Sequence, residues 1–306
     1  MGFEVISLDS GIFSTLTGCC VLLAVVCLIV SEVILNSHKK NYPEGAKIKK
    51  PVSVVLLTAA AAVFAIPLLI LIVKKLVDLV TGDQETFLST IKLLGQGFGF
   101  SFGIFFFTII FSLPLGLIVA AGKMSKIKTI SAFFKVYVSV LRGTPLMLQL
   151  LLVYFGPYYL FGISTGNIEI GPFNYRFIAS IIGFSLNYAA YFAEIFRGGI
   201  QSMPKGQYEA AQVLGFSKTQ TYFKIILPQV VKRVLPSVGN EVITLVKDTS
   251  LAQVLAVTEM FTQASALASA QVSVMPFIVA GLFYYLMNFV IESLLGLIEK
   301  YMNYYS

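Results

Sequence analysis

Amide and ionisable side chains set inside long apolar runs are the residues of this sequence most able to do chemistry. Glu241 sits deepest in the run 224–247, with Asn240 beside it. Lys247 and Asp248 lie near the far end of that run, and Asn187 falls mid-way along another at 177–197. Each such charge costs about 2.5–3.5 kcal/mol in a bilayer on insertion scales, so these residues line a polar pathway or pair with one another. For Glu241 both arrangements stay open; for Lys247 and Asp248 mutual pairing is expected. Arg142, toward the inner third of its run, reads as structural, and the sequence names no partner for Glu292.

A second constellation occupies the polar connection at about 202–222 and the start of the run that follows. Local physics makes it a helix, a turn and a second helix. Pro204 suits a first helical turn, where its missing N–H is unneeded. Glu209, Ala210 and Ala211 follow, with Ala210, Ala211 and Leu214 expected on one side. Gly215 can take the left-handed conformation that ends a helix. Ser217 with Gln220 has the spacing of a capping box, and Leu227 and Pro228 lead into the next apolar run. A short helix held this way is either a surface peg for a partner or a loop helix lying on its own bundle. Local physics leaves both open.

Other chemistries lack their residues. A phosphate-binding loop needs Gly-x-x-x-x-Gly-Lys-Ser/Thr, and Gly215-Phe216-Ser217-Lys218-Thr219 lacks the glycine before its lysine, so this chain is not expected to hydrolyse ATP. The single histidine, His38, stands in a basic loop without a second ligand, and no metal site is expected. Neither Gly-x-Ser-x-Gly nor His-Glu-x-x-His occurs. The three cysteines, Cys19, Cys20 and Cys27, share one apolar run and form no disulfide or zinc pattern. Leu16-Thr17-Gly18-Cys19 has a lipobox-like order, but residues 1–15 carry no Lys or Arg and the chain stays apolar beyond Cys19. A membrane helix is therefore expected there rather than a signal peptide.

Composition says what must position these residues. Of 306 residues, 57% are hydrophobic and only 12% charged, with a mean hydropathy of +0.84. Soluble domains carry about 25% charged residues, so a soluble enzyme is excluded and an all-α, multi-pass membrane protein is expected. Runs near 12–35, 52–80, 99–121, 133–160, 177–197, 224–247 and 276–299 are long enough to span, since a crossing needs about 20 apolar residues. That makes a bundle of about seven transmembrane helices. The stretch 86–96 places Phe87, Ile91 and Leu94 on one face and reads as an interfacial amphipathic helix. Twelve of the 22 basic residues fall in three alternating connections: Lys39, Lys40, Lys47, Lys49 and Lys50; Lys123, Lys126, Lys128 and Lys135; Lys205, Lys218 and Lys224. By the positive-inside rule the N-terminus faces out and the C-terminus in, against which Lys74, Lys75 and Lys92 count.

The spaced series Glu209-Ala210-Ala211, Gly215, Ile225, Leu227 and Pro228 resembles the EAA loop of permease subunits in type I ABC importers. Arg142-Gly143-Thr144-Pro145 with Gln149, the stretch from Tyr191 through Glu194 and Arg197 to Ile200, and the stretch from Leu235 to Leu251 resemble the polar amino-acid branch of that family. The resemblance covers about 86–300. It implies a five-helix permease core at 83–306 with a cytoplasmic coupling loop, preceded by an N-terminal extension, 1–82, with two extra helices that have no family role. That extension contains Ala59, Ala60, Ala61 and Ala62, a run small enough for close helix packing.

The resemblance further implies a non-catalytic subunit in a bacterial cytoplasmic membrane. It would form the translocation pathway for polar amino acids and couple through the EAA loop to a dimer of ATP-hydrolysing subunits. ATP and Mg would sit in that ATPase, with no cofactor bound by this chain. A second permease subunit, identical or related, and an extracytoplasmic amino-acid-binding protein complete the expected assembly, the latter as a separate chain or fused to another subunit. The candidate pathway residues Asn187, Asn240, Glu241, Lys247 and Asp248 suit a substrate bearing both an ammonium and a carboxylate. A channel, or a non-transporting scaffold or sensor coupled to an ATPase, is the alternative. Neither nucleic-acid binding nor a particular amino acid is legible.

Overall fold

The computed structural model describes residues 84–163, 169–170 and 173–302. The expected helices at 12–35 and 52–80, the extension 1–82, the three cysteines and His38 lie outside the described residues. Nine α-helices order the described chain: α1 (Gln84–Lys123), α2 (Lys128–Gly143), α3 (Leu146–Phe161), α4 (Tyr175–Gln201), α5 (Lys205–Val213), α6 (Lys218–Gln220), α7 (Leu227–Asp248), α8 (Met260–Gln271) and α9 (Met275–Met302). A π-helical segment, Thr221–Ile226, joins α6 to α7, and a 3-10 helix, Thr249–Leu255, follows α7. The one non-helical pairing among the described residues is a hairpin of β1 (Glu169–Ile170) and β2 (Phe173–Asn174), with Glu169 opposite Asn174. Asn174 then caps α4, its side chain accepting from the Phe177 N–H at 3.0 Å.

The described residues form two compact units. One contains the start of α1 with α8 and α9. There Phe87, Ile91 and Leu94 do share a face, but that face is buried against Met260 and Ala264 of α8 and Val279, Ala280 and Phe283 of α9. The expected interfacial helix is therefore a core-packing one. It is also continuous with the expected span at 99–121, because nothing between 84 and 113 caps or breaks it and Pro114 sits inside the helix without ending it.

The other unit, Ser101–Glu259, is built around α4. Ala189, Ala190, Phe192 and Ala193 are fully buried on it, and small residues there let helices approach closely. A Cβ on Gly116 of α1 would stand 2.8 Å from Phe192 Cβ and 3.2 Å from the Ala189 carbonyl oxygen. Val119, Ala120 and Val138 complete that core with Ala190 and Ala193.

The expected crossing at 133–160 consists of two helices, α2 and α3, bent by 113°. Thr144 is extended, at φ −120° and ψ 150°, because a residue before proline is driven out of the helical region. Three described helices, α1, α4 and α9, are long and apolar enough to cross a membrane, or four if the bent pair counts as one span. The expected crossing at 224–247 corresponds to α7, whose Lys232, Arg233, Glu241, Lys247 and Asp248 make it too polar to qualify on composition.

Candidate functional site

The loop between α4 and α7 is held by local backbone chemistry. Pro204 is the N-cap of α5 rather than its first helical residue, with φ −60° and ψ 138°. At the other end Gly215 has φ +78°. Its N–H donates to the Gln212 carbonyl at 3.0 Å, and the Phe216 N–H donates to Ala211 at 3.0 Å. This paired closure needs a left-handed residue, which glycine supplies without a Cβ penalty. Ser217 then accepts from the Gln220 N–H at 3.2 Å while Gln220 Oε1 accepts from the Ser217 N–H at 2.9 Å, so the capping box forms and starts α6.

One face of this loop is anchored. Met203 packs with Ile226, Val230 and Val234, and Tyr208, Tyr222 and Ile225 close over them. Arg233 Nη1 donates to the Ser202 carbonyl at 2.7 Å. Ala211 is buried, whereas Glu209 and Ala210 are exposed. The expected common face of Ala210, Ala211 and Leu214 is thus split. Successive helical residues lie about 100° apart, so Tyr208 and Ala211 turn inward while Ala210, Val213 and Leu214 turn out. Val213 is 88% exposed and Leu214 73%. Leu227 is half-buried and Pro228 exposed, and Lys205, Lys218 and Lys224 are exposed around the same loop. The result is an apolar tip with a basic rim, mounted on the root of α7.

Along α7, Asn240 and Lys247 are exposed while Glu241 and Asp248 are half-buried. No close Lys247–Asp248 salt bridge is present among the described residues. Adjacent residues on a helix do not face each other, and Asp248 instead accepts from the Tyr188 hydroxyl of α4 at 2.7 Å. Asn187, expected on the same pathway, is committed elsewhere. Its amide is buried and donates to the Leu141 carbonyl at 3.1 Å and to Gln149 Oε1 at 2.9 Å, at the α2–α3 bend. Glu292 is exposed.

Three features escaped the sequence reading. Tyr188 is the first. The second is the role of Glu194 as a hub, which pairs with Lys123, with Arg197 at 2.7 Å and with Arg142 at 3.9 Å. Arg142 also lies 5.0 Å from the centre of the Tyr191 ring, a cation–π distance. The signal was available: Tyr188, Tyr191, Glu194 and Arg197 recur every third residue, a polar stripe on an apolar helix. The third is Glu259, fully buried, which accepts from Ser101 Oγ at 3.2 Å.

The family described as binding-protein-dependent transport system inner membrane component matches residues 112–304 of this chain. The chain is 35% identical over 215 residues to the L-cystine transport system permease protein TcyB of Bacillus subtilis (strain 168), covering 70% of this chain and 88% of that one. It is 36% identical over 202 residues to the nopaline transport system permease protein NocM of Agrobacterium fabrum, covering 65% and 83%. Among solved structures, an amino acid ABC transporter crystallised with histidines superposes with a TM-score of 0.63 at 33% identity, covering 71% of this chain and 98% of that one.

Proposed function

Since the chain belongs to the family of binding-protein-dependent transport system inner membrane components, a family of transport subunits rather than catalytic ones, we propose that it is the permease of an ABC importer for polar amino acids. The observation that carries this reading is the peg: a capped, anchored helix that leaves the apolar Val213 and Leu214 exposed among the described residues. Glu209, Ala210, Ala211, Gly215, Leu227 and Pro228 form the coupling loop. Its apolar tip enters a groove on a separate ATPase subunit, which holds ATP and Mg. ATP binding favours one of two permease states, and the transport direction follows from that bias. The assembly holds two permeases, two ATPases and an extracytoplasmic binding protein, in a bacterial cytoplasmic membrane. Seven crossings put the N-terminus outside and the C-terminus inside, with 1–82 as an extension to the core at 83–306.

The pathway runs past Asn240, Glu241, Lys247 and Asp248. Carboxylates and an ammonium on one helix complement the two charges of an amino acid, and the Tyr188 hydroxyl fixes Asp248. Asn187 supports this wall from behind rather than lining it, since its amide is spent at the bend. The test is reconstitution with the co-purified ATPase and binding protein in proteoliposomes. ATP-dependent uptake of labelled cystine, glutamine or arginine is expected for at least one of them. ATP-independent flux would make the protein a channel, and ATP hydrolysis without flux would make it a scaffold.

A further inference from the structure

We propose that Gln149 and Asn187 are positioning residues for transport, which fix the α2–α3 bend by capping the Leu141 carbonyl that Pro145 leaves without a donor. In a continuing helix the Leu141 carbonyl would accept the amide N–H of residue 145, and proline has none. Lipid offers no water in its place, so a freed carbonyl at membrane depth needs a protein donor. The structure supplies two. Gln149 Nε2, from α3, lies 2.8 Å from the Leu141 carbonyl oxygen, 3.0 Å from that of Thr144 and 2.9 Å from Thr144 Oγ1. Asn187 Nδ2, from α4, donates to the same Leu141 oxygen at 3.1 Å and to Gln149 Oε1 at 2.9 Å. Thr144 Oγ1 closes the Val140 carbonyl at 2.9 Å.

Both amides are buried, Gln149 at 6% and Asn187 at 4% exposure. An amide NH2 carries two hydrogens; Asn187 spends both here, and Gln149 shares its two among three oxygens. Only a bent chain opens Leu141 to donors from two other helices, so the network is specific to the bend. Tyr188, the next residue on α4, holds Asp248. One turn of α4 therefore fixes both the bend and a carboxylate at the end of α7. The bend is a fixed elbow set against the pathway.

This inference rests on the permease reading for its word transport, and a substitution cycle separates the two. Asn187→Leu, Pro145→Ala and the double variant are compared in the reconstituted complex by thermal midpoint and by labelled amino-acid uptake. Pro145→Ala restores the N–H that Leu141 lacks, so it relieves the need for a cap and lets the helix straighten. Asn187→Leu is expected to lower both midpoint and uptake, the latter about tenfold. Pro145→Ala is expected to keep the midpoint and lose uptake to the same degree, and the double variant to recover the midpoint but not the uptake. Full uptake by Pro145→Ala, or recovery of uptake in the double variant, would reduce the amides to ordinary structural caps and overturn the proposal. A midpoint deficit of Asn187→Leu that Pro145→Ala does not relieve would overturn the capping itself. If Asn187→Leu does not fold, Gln149→Met, which retains the Asn187 bond to Leu141, enters the same cycle. A wild-type complex that moves no amino acid would sink the permease reading, while the midpoint cycle still decides the capping.

Discussion

Glu194 holds three cations with one carboxylate, and Tyr188 holds one carboxylate with one hydroxyl, so the two residues answer to opposite substitutions. Glu194→Gln leaves Lys123, Arg142 and Arg197 facing a neutral amide. Removing one partner of a buried pair costs about 3–5 kcal/mol, and here solvent reaches part of the cluster, so a loss of about 1–3 kcal/mol is expected. In detergent the thermal midpoint should fall by several degrees, and Lys123→Met added to Glu194→Gln should return part of the loss; an unchanged midpoint would deny the hub a structural role. Tyr188→Phe removes a hydrogen bond to a charged group, worth about 1.5–3 kcal/mol, and releases Asp248. Its expected signature is a raised KM for uptake with the fold retained, measured beside Glu241→Gln, whose unchanged transport and preference would take Glu241 off the pathway. The sequence marks Glu241 and Asp248 because a charge in an apolar run is conspicuous. It does not mark their partners, because Tyr188 lies 60 residues from Asp248 and a tyrosine among apolar residues draws no notice.

At the level of elements, what is local is legible and what is long-range is not. The glycine closure at Gly215 and the capping box at Ser217 and Gln220 need only neighbours, and their residues announce them. The bend at Thr144 does not dent a hydropathy window, and its caps come from Gln149 and from Asn187, which lies 46 residues beyond Leu141. The sequence therefore reads 133–160 as one crossing. The merging of 86–96 into α1 has the same cause, since the partners that bury Phe87, Ile91 and Leu94 come from α8 and α9. Two predictions belong here. Gly215→Val must hold a β-branched residue at φ +78°, a strain of roughly 1–2 kcal/mol, and should loosen the peg: ATPase activity is expected to uncouple from uptake while membrane insertion persists. Leu214 is largely exposed among the described residues, so for Leu214→Asp co-purification of the ATPase should fall without a change in midpoint. Retained co-purification would place the docking surface elsewhere.

For the whole molecule, composition alone settles the membrane and the helical class, and the spaced motifs settle the family. The family match runs over 112–304, and the alignment with the Bacillus subtilis relative takes in 88% of that protein but only 70% of this chain. A truncated chain starting at 83 is accordingly expected to assemble with the same ATPase, identified by mass spectrometry of the purified complex; loss of the ATPase from that sample would make the extension part of the coupling apparatus. Between peg and pathway stands the π-helical segment Thr221–Ile226, whose last turn closes with the Leu227 N–H on the Tyr222 carbonyl, five residues back. Such a segment accommodates one residue more than an α-helix would. With that residue absorbed, α7 keeps its phase against the peg; the same residue wound as ordinary α-helix would rotate α7 by about 100°, carrying Glu241 and Asp248 to another compass bearing. The segment is thus a phase setting: the direction in which the loop meets its ATPase and the direction in which α7 shows its carboxylates are two readings on one dial, and a change of length in either is felt by both.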